Sequence, residues 1–256
     1  MSIRLTSAAK RRRRLVQSVI ADAGSILEIG ALDRPTFIRD LGDDVRYLDW
    51  FSGDDLRERH QNNPKRLVAN IVDVDYVVKH HRFAPSIPDR FDLIVAAHVV
   101  EHVADVVSWL QQLESLLAPG GTLYLAVPDR RYTFDYHRRT SNVVDIIRAH
   151  EEGLERPTKW QVADAQYHFS PVDREALWDG TVPPFRPRFS LAQALRRAER
   201  RAHEYVDVHC WVFTPDSFAQ VLDGLRQCGL VGLAVKRLDP PQRGTSEFSV
   251  FLTADQ

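Results

Sequence analysis

The sequence has few of the residues that mark several protein classes. Its 256 residues include two cysteines, which excludes a disulfide framework and a four-cysteine zinc site. No apolar run approaches the ~20 residues that a membrane-spanning helix needs. The first residues contain no apolar stretch of the kind found in signal peptides. We therefore expect a soluble, cytoplasmic protein with no membrane span.

A large net charge is also absent. The chain has 34 basic and 35 acidic residues, giving a formal net charge of −1, which argues against nucleic acid as the main partner. Residues 4–14 are an exception, because they contain Arg4, Lys10 and four consecutive arginines without an acid. This run is either an arm for nucleic acid or a membrane surface, or the solvated start of a helix that continues to about Ile20. We expect the helix.

The first half of the chain alternates short apolar runs with helical patterns. Apolar runs that predict buried strands fall at 26–29, 45–50, 66–75, 91–99 and 122–129. Between the last two, apolar residues recur at helical spacing and end at Pro119-Gly120-Gly121. Nearly continuous apolar strands that alternate with helices are typical of a parallel sheet covered on both faces.

The second half is organised differently. Residues 130–210 are rich in Arg, His, Trp and Pro and show no strand pattern, although 188–205 predicts a helix. Thr214 is then predicted to be the N-cap of a helix that ends at Gly229. Two further strands are predicted at 230–238 and 247–253, joined as an antiparallel hairpin.

Several polar or small residues fall where the predicted strands end. Gly30 follows strand one in LEIGALDRP, Asp49 follows strand two in YLDW, and Asn70 lies in ANIVD. His98 begins HVVEHV after strand four, and Asp129 begins a polar segment after strand five. In an open parallel sheet, ligands bind beyond the carboxyl ends of the strands, so these ends define the predicted site.

In this order, the segments resemble the motifs of class I S-adenosylmethionine (SAM)-dependent methyltransferases, although Gly30 stands where that family commonly has three glycines. The resemblance implies an α/β, Rossmann-like, doubly wound sheet of seven mostly parallel strands, the last antiparallel. We expect one domain over 1–256, with a SAM-binding core at about 21–130 and 211–256 and a helical or irregular acceptor cap at about 131–210. The implied SAM-binding residues are Glu28, Gly30, Ala31, Asp49, Trp50, Asn70, Ile71, Asp73 and His98.

Two further segments, PDRRYTFDYHRRT (128–140) and VHCWVFTPDSF (208–218), resemble bacterial methyltransferases that accompany glycosyltransferases in polysaccharide biosynthesis. That resemblance implies O-methylation of a carbohydrate or glycoside. Aromatic faces with charged neighbours suit sugar rings. The expected acceptor-binding residues are Arg130, Arg131, Tyr132, Phe134, Asp135, His168 and His209.

A sugar hydroxyl is a poor nucleophile, so it needs a general base or a metal ion. His98, Glu101 and His102 form H-x-x-E-H, and a helix that starts near His98 would place all three on one face. The spacing resembles the E-x-x-E-H metal motif of small-RNA 2′-O-methyltransferases. We expect His98, His102 and Asp129 to be catalytic, and His98, Glu101 and His102 to be metal ligands, with a further ligand from His168 or His209.

Three alternatives stay open at this stage. The histidines could act as a base without metal, could bind a divalent ion, or could have a purely structural role. Histidine with carboxylate suits Mn, Zn or Fe better than Ca, whereas Mg would need further oxygen ligands. The acceptor could be an RNA 2′-hydroxyl or another small molecule. The chain could also be a non-catalytic SAM-binding or partner-binding module. The partners we expect are a small-molecule or oligosaccharide acceptor and, as one option for assembly, a second copy of the chain.

Overall fold

The computed structural model describes residues 3–20 and 23–254. Within them the strands are β1 (Ile26–Ile29), β2 (Val45–Asp49), β3 (Tyr76–Val77), β4 (Phe91–Ala97), β5 (Leu117–Pro128), β6 (Leu233–Asp239) and β7 (Glu247–Ala254). The α-helices are α1 (Ser7–Val19), α2 (Gly53–His60), α3 (Val106–Leu116), α4 (Val143–Glu151), α5 (Lys159–His168), α6 (Arg174–Trp178), α7 (Leu191–Arg200) and α8 (Pro215–Gln227). None of the helices in this part of the chain has the length and apolar character to cross a bilayer.

The strands form one sheet in the order β3-β2-β1-β4-β5-β7-β6. Strand β1 pairs in parallel with β2 and β4, β2 pairs in parallel with β3, and the last strands are antiparallel. Strand β7 lies between β5 and β6. Every residue of β1 is buried, which explains its unbroken apolar character apart from one glutamate. The predicted Rossmann-like seven-stranded sheet is confirmed.

The chain divides into two compact units. The first unit comprises Met1–Ala97, Gln112–Leu125 and Leu252–Gln256, and the second comprises His98–Gln111 and Ala126–Phe251. The predicted cap at 131–210 lies entirely in the second unit, together with α8 and β6. The proposed limits of core and cap stay a prediction.

In the first unit, the basic run at the start of the chain belongs to helix α1. The Thr6 side chain caps the helix by accepting a hydrogen bond from Ala9 N. Val16 is buried, and the arginines add contacts of their own. Arg13 Nη2 donates to Asp43 Oδ1 at 2.7 Å, and its guanidinium lies over the Phe37 ring. The interpretation as a helix is therefore confirmed.

The predicted third strand at 66–75 is wrong. Residues 68–70 form a single 3₁₀ turn, and β3 is limited to Tyr76–Val77. The intervening backbone is used differently, since Val72 N donates to Leu32 O at 3.1 Å. Asn70 Nδ2 likewise donates to Asp33 O at 2.6 Å. This apolar segment therefore holds the loop after β1 in place and is not a long strand.

The predicted helix start near His98 is also wrong. His98 has a left-handed backbone, with φ 57°, which an α-helix cannot accommodate. A 3₁₀ turn follows at Val100–His102, and α3 begins only at Val106. Strand β5 begins at Leu117, ahead of the predicted position, because α3 has already ended at Leu116.

The second unit contains three helices, α4 to α6, that the apolar pattern did not predict. Each begins at a side-chain cap, provided by Asn142, Thr158 or Asp173. Helix α7 was predicted, and it packs against α5 around Ala163 and Ala198. Helix α8 begins at Pro215 after the Thr214 cap, as predicted.

Candidate active site

In the first unit, the loop after β1 is organised around a buried glutamate. Glu28 is 1% exposed, and its two carboxylate oxygens accept hydrogen bonds from Thr36 N at 2.7 Å and Phe37 N at 3.0 Å. Burial raises the pKa of Glu28 to about 7, against the effect of these two backbone donors. The carboxylate is thus directed at the loop, which it holds in shape.

Gly30 lies at the turn where β1 ends. Its φ of 64° is in the left-handed region, which glycine adopts at little cost. Gly30 is exposed, whereas the next residue, Ala31, is buried. Asp33, farther along the loop, accepts hydrogen bonds from Arg66 Nη1 and Leu67 N, each at 3.0 Å. The turn at Gly30 is therefore exposed, while hydrogen bonds to Glu28 and Asp33 fix the rest of the loop.

Asn70, Ile71 and Asp73 were predicted to contact the cofactor at the end of strand three. Asn70 and Ile71 are each 3% exposed. The Asn70 amide also binds the Arg4 backbone, since Asn70 Oδ1 accepts from Arg4 N at 2.6 Å. Asp73 is exposed and pairs with Arg57. All three residues therefore lie before β3 and not at its end. The Asn70 side chain holds the loop after β1 through its hydrogen bond to Asp33 O.

Asp49 ends β2 and is partly buried. Burial raises the pKa of Asp49, while backbone N–H groups of Phe51 and Trp50 act in the opposite direction. Trp50 is 40% exposed, and its ring lies 5.3 Å from the His81 ring. The end of β2 therefore carries a carboxylate acceptor followed by an exposed indole, a combination suited to a ribose and a flat base.

In the second unit, three histidines surround one buried carboxylate. Glu101 is 1% exposed, and neither of its oxygens makes a hydrogen bond. Its Oε1 lies 3.6 Å from His98 Nδ1, 3.8 Å from His102 Nε2 and 3.9 Å from His209 Nε2. These four residues form the histidine cluster. It brings together the three residues of the H-x-x-E-H motif and adds His209.

Each histidine of this cluster has a second carboxylate on its other ring nitrogen. His98 Nε2 lies 2.7 Å from Glu247 Oε2, and His209 Nδ1 lies 2.5 Å from Asp135 Oδ2. His102 Nδ1 lies 2.9 Å from Asp207 Oδ1, at an angle outside the range of a good hydrogen bond. The rings are therefore oriented from outside by acids.

Backbone contacts fix His209 beside the motif. Cys210 N and Trp211 N both donate to Glu101 O, at 2.7 and 3.2 Å. Trp211 Nε1 donates to Val103 O at 2.7 Å. The segment that carries His209 is thus joined to the 3₁₀ turn that carries Glu101, and the rings of His102 and His209 meet edge to face at 4.8 Å.

Charge in the cluster is balanced between imidazole and carboxylate. Burial works to raise the pKa of Glu101, but the neighbouring histidines lower it overall. Burial opposes protonation of His98, but Glu101 and Glu247 outweigh it and raise the pKa of His98 to about 9. The pKa of His102 is raised mainly by Asp207, again against burial. The cluster therefore favours an ionised Glu101 next to a cation.

Asp129 is fully buried after β5. Its Oδ2 accepts from Arg131 Nη2 at 2.6 Å, and its Oδ1 accepts from Arg131 N at 3.0 Å, which caps the 3₁₀ turn Arg130–Tyr132. Because both oxygens are engaged by one neighbour, this geometry argues against proton transfer by Asp129. It favours a structural role instead, in which Asp129 fixes the turn Arg130–Tyr132 that was predicted to bind the acceptor.

Two aromatic pairs follow this anchor. Tyr132 stacks on Trp178 with ring centroids 4.0 Å apart. Phe134 lies 5.1 Å from Phe169 and 4.8 Å from His209, and it is 37% exposed. The exposed Phe134 ring therefore borders the histidine cluster directly.

His168 is not part of the histidine cluster. It belongs to α5, and its Nδ1 lies 2.8 Å from Asp164 Oδ1. It lines a cavity of about 650 Å³ in the second unit together with Trp160 and Arg148. Of the two residues considered as a further ligand, the structure therefore places His209 at Glu101 and His168 elsewhere.

Sequence reasoning missed the outer acids Asp207 and Glu247, and the buried Arg138 that supports Asp135. Arg138 Nη1 donates to Asp135 Oδ1 at 2.8 Å. Asp207 precedes His209 by two residues in VDVHC, a local signal that was available in the sequence. Glu247 lies 149 residues from His98, so no local pattern connects them.

The sheet order defines an open, doubly wound α/β protein, a class whose ligands generally bind beyond the carboxyl ends of the strands. A methyltransferase domain family matches residues 3–225. The chain belongs to this methyltransferase family.

Known proteins resemble parts or all of the chain. A ubiquinone biosynthesis O-methyltransferase from Methylobacterium sp. is 39% identical over 59 residues, which is 23% of this chain and 24% of that relative. The aligned stretch thus spans about a quarter of the relative's length. The CcbJ methyltransferase from Streptomyces caelestis is 13% identical with a TM-score of 0.50, covering 98% of this chain and 91% of that one. A Rhodobacter sphaeroides protein named a zinc-dependent alcohol dehydrogenase is 14% identical with a TM-score of 0.51, covering 99% and 92%. At these identities the two structures show the fold alone.

Proposed function

We propose that this protein transfers a methyl group from SAM to a hydroxyl of a carbohydrate or glycoside. The observation that carries the proposal is the histidine cluster beside the exposed face of Phe134, both within the second unit. A group able to take up a proton and an apolar platform are what a sugar hydroxyl and a sugar ring respectively require. The name of the curated relative, an O-methyltransferase, favours oxygen as the accepting atom.

The first unit offers donors and acceptors that fit SAM. The exposed turn at Gly30 allows close approach of a ligand to the backbone, and Asp49 offers a carboxylate to ribose hydroxyls. Trp50 adds an exposed ring. Glu28 and Asn70 hold the loop after β1, so their proposed part in SAM binding is to position it.

When bound, SAM supplies a methyl group on a sulfonium sulfur, and the electron pair of the carbon–sulfur bond returns to sulfur as the acceptor oxygen bonds to the methyl carbon. This chain must hold the hydroxyl and remove its proton. His98 or His102, in its neutral form, takes that proton on a ring nitrogen, and the outer acids Glu247 and Asp207 stabilise the resulting imidazolium. A divalent ion such as Mn or Mg at the cluster would assist the same step.

Residues of the second unit are proposed to hold the acceptor. Phe134 and the stacked pair Tyr132–Trp178 provide apolar faces. Arg130 is half-buried and Arg131 is exposed, and both provide donors for sugar oxygens. The net charge of −1 favours a neutral acceptor over a polyanion such as RNA.

The test is methyl transfer from SAM labelled in its methyl group. Purified full-length protein is incubated separately with hexose methyl glycosides, short oligosaccharides, a phenol and an RNA oligonucleotide. Label in a glycoside or oligosaccharide supports the proposal, and label confined to RNA or the phenol overturns it. SAM affinity is measured alongside by calorimetry, so that a protein unable to bind SAM is recognised.

A variant pair then assigns the acceptor platform. Phe134→Ala is expected to raise KM for the methylated acceptor while leaving the Kd for SAM unchanged. Val144→Ala is the matched control, because Val144 is 69% exposed on α4. Equal KM values for the two variants would remove Phe134 from the proposed acceptor site.

A further inference from the structure

The most unusual feature of the second unit is a buried carboxylate with no hydrogen bond. Glu101 is 1% exposed, and both of its oxygens are unpartnered. Burial of such a group is costly unless a cation or several donors compensate it. A positive charge next to Glu101 is therefore needed to compensate the buried carboxylate, either on protonated imidazoles around it or on a metal ion.

The nearest groups to Glu101 are metal-ligand atoms. One ligand atom from each of Glu101, His102 and His209 lies within 4.8 Å of the other two. Two histidines and one carboxylate are a ligand set used by zinc and by non-haem iron, with open positions left for water or substrate. His98 Nδ1 is 3.6 Å from Glu101 Oε1 but falls outside this group of three.

The surroundings of these two histidines point the same way. A histidine that binds a metal usually has its second ring nitrogen on a carboxylate, which fixes the tautomer and the ring orientation. His209 has Asp135 at 2.5 Å, and Asp135 is itself fixed by Arg138. His102 has Asp207 at 2.9 Å. At His209 this arrangement favours the ring proton on Nδ1, toward Asp135, and leaves Nε2, which faces Glu101, as an acceptor. At His102 the outer carboxylate lies near Nδ1 without forming a hydrogen bond of good geometry.

We propose that Glu101, His102 and His209 bind one divalent transition-metal ion in the second unit. Nitrogen ligands outnumber the carboxylate, which favours zinc, cobalt, iron or manganese over magnesium, because magnesium prefers oxygen and bound water. This differs from the set predicted from the sequence, in that His209 takes the place of His98. The role of the ion in lowering the pKa of an acceptor hydroxyl rests on the proposed function; binding of the ion does not.

The test measures metal binding without turnover. Full-length protein is stripped with a chelator and dialysed, and Zn²⁺ is then titrated in competition with a chromophoric chelator. Co²⁺ uptake is followed by its visible absorption, which reports nitrogen ligands in a low-symmetry site. The wild type is expected to take up one ion per chain.

Variants of the chain identify the ligands. Glu101→Gln and His209→Gln are expected to lose stoichiometric uptake. Asp135→Asn is expected to lower affinity by about 10–100-fold, because it removes only the outer partner of His209. His150→Ala is the matched control, since His150 pairs with Asp105 and does not face Glu101, and its affinity is expected to equal that of the wild type.

Two results would overturn the inference. One is a folded wild type that takes up neither ion, which would leave protonated imidazoles as the compensation for Glu101. The other is equal uptake by the wild type and both ligand variants, with folding confirmed by circular dichroism. Neither result bears on methyl transfer to a glycoside, which the labelled-SAM assay decides separately.

Discussion

His209 Nδ1 lies 2.5 Å from Asp135 Oδ2, and Asp135 is 2% exposed. Arg138 holds the other side of this carboxylate: its Nη1 donates to Asp135 Oδ1 at 2.8 Å and to His209 O at 3.0 Å. Burial would raise the pKa of Asp135, but His209 and Arg138 lower it overall. The orientation of His209 therefore depends on an arginine that does not touch Glu101.

Replacing this arginine should destabilise the fold strongly. In Arg138→Met the Asp135 charge stays buried without one of its two partners, and we expect the free energy of unfolding to fall by about 3–5 kcal/mol. Denaturant titration checks this. Arg148→Met is the control, since Arg148 forms an exposed pair with Asp145, and it should cost less than about 1 kcal/mol. Similar losses in the two variants would mean that Asp135 finds another partner.

Gly30 and Gly42 both have a left-handed backbone, with φ of 64° and 84°. An alanine side chain strains either turn by ~1–2 kcal/mol, so both Gly→Ala variants should lose similar stability. Only Gly30→Ala should also weaken SAM binding, by about tenfold or ~1.4 kcal/mol, because Gly30 lies in the proposed cofactor loop. Calorimetric SAM titration and thermal melts separate the two effects. Equal SAM affinity of both variants would move the cofactor away from Gly30.

Asp49 should contribute directly to SAM affinity. A hydrogen bond that involves a charged group is worth about 1.5–3 kcal/mol, so Asp49→Ala should raise the Kd for SAM by ~10–150-fold. Asp44→Ala is a suitable comparison, since Asp44 pairs with Arg46 at the surface just before β2. A Kd for Asp49→Ala equal to that of Asp44→Ala would show that ribose is bound elsewhere.

Glu28 should make stability depend on pH. Its pKa is about 7 in the folded protein, because of burial, against 4.5 as the ordinary value. Between these values the folded state holds one more proton, so the stabilising contribution is complete below pH 4.5 and is lost as pH rises through 7. The unfolding free energy of the wild type, minus that of Glu28→Gln, should therefore fall by about 3 kcal/mol from pH 4.5 to 8. A difference that is constant with pH would contradict this.

The sheet could be predicted because its strands are buried on both faces. Strands such as β1 and β4 carry nearly continuous apolar residues, and the sequence marks them clearly. The segment around Ile71 is equally apolar but is buried by the loop after β1, not by neighbouring strands, so its pattern predicted the wrong element. An apolar run records burial without recording which partner causes it.

The candidate site could be predicted only where its residues are close in sequence. His98, Glu101 and His102 form a recognisable motif, and the structure brings them together even though the expected helix is absent there. His209 reaches Glu101 from 108 residues away, through backbone bonds of Cys210 and Trp211 to Glu101 O. Such pairing depends on tertiary contacts and has no local periodicity, so His168 and His209 could not be distinguished beforehand.

His102 should be required for methyl transfer and not for SAM binding. Because it faces Glu101 on one side and Asp207 on the other, it can act as a proton acceptor or as a metal ligand. Under either role, His102→Ala should lower kcat by ~10²–10⁴-fold while the Kd for SAM stays at the wild-type value. His150→Ala should keep wild-type kcat, since His150 pairs with Asp105 outside the cluster. Single-turnover transfer at saturating SAM measures both variants, and a wild-type rate in His102→Ala would exclude both roles.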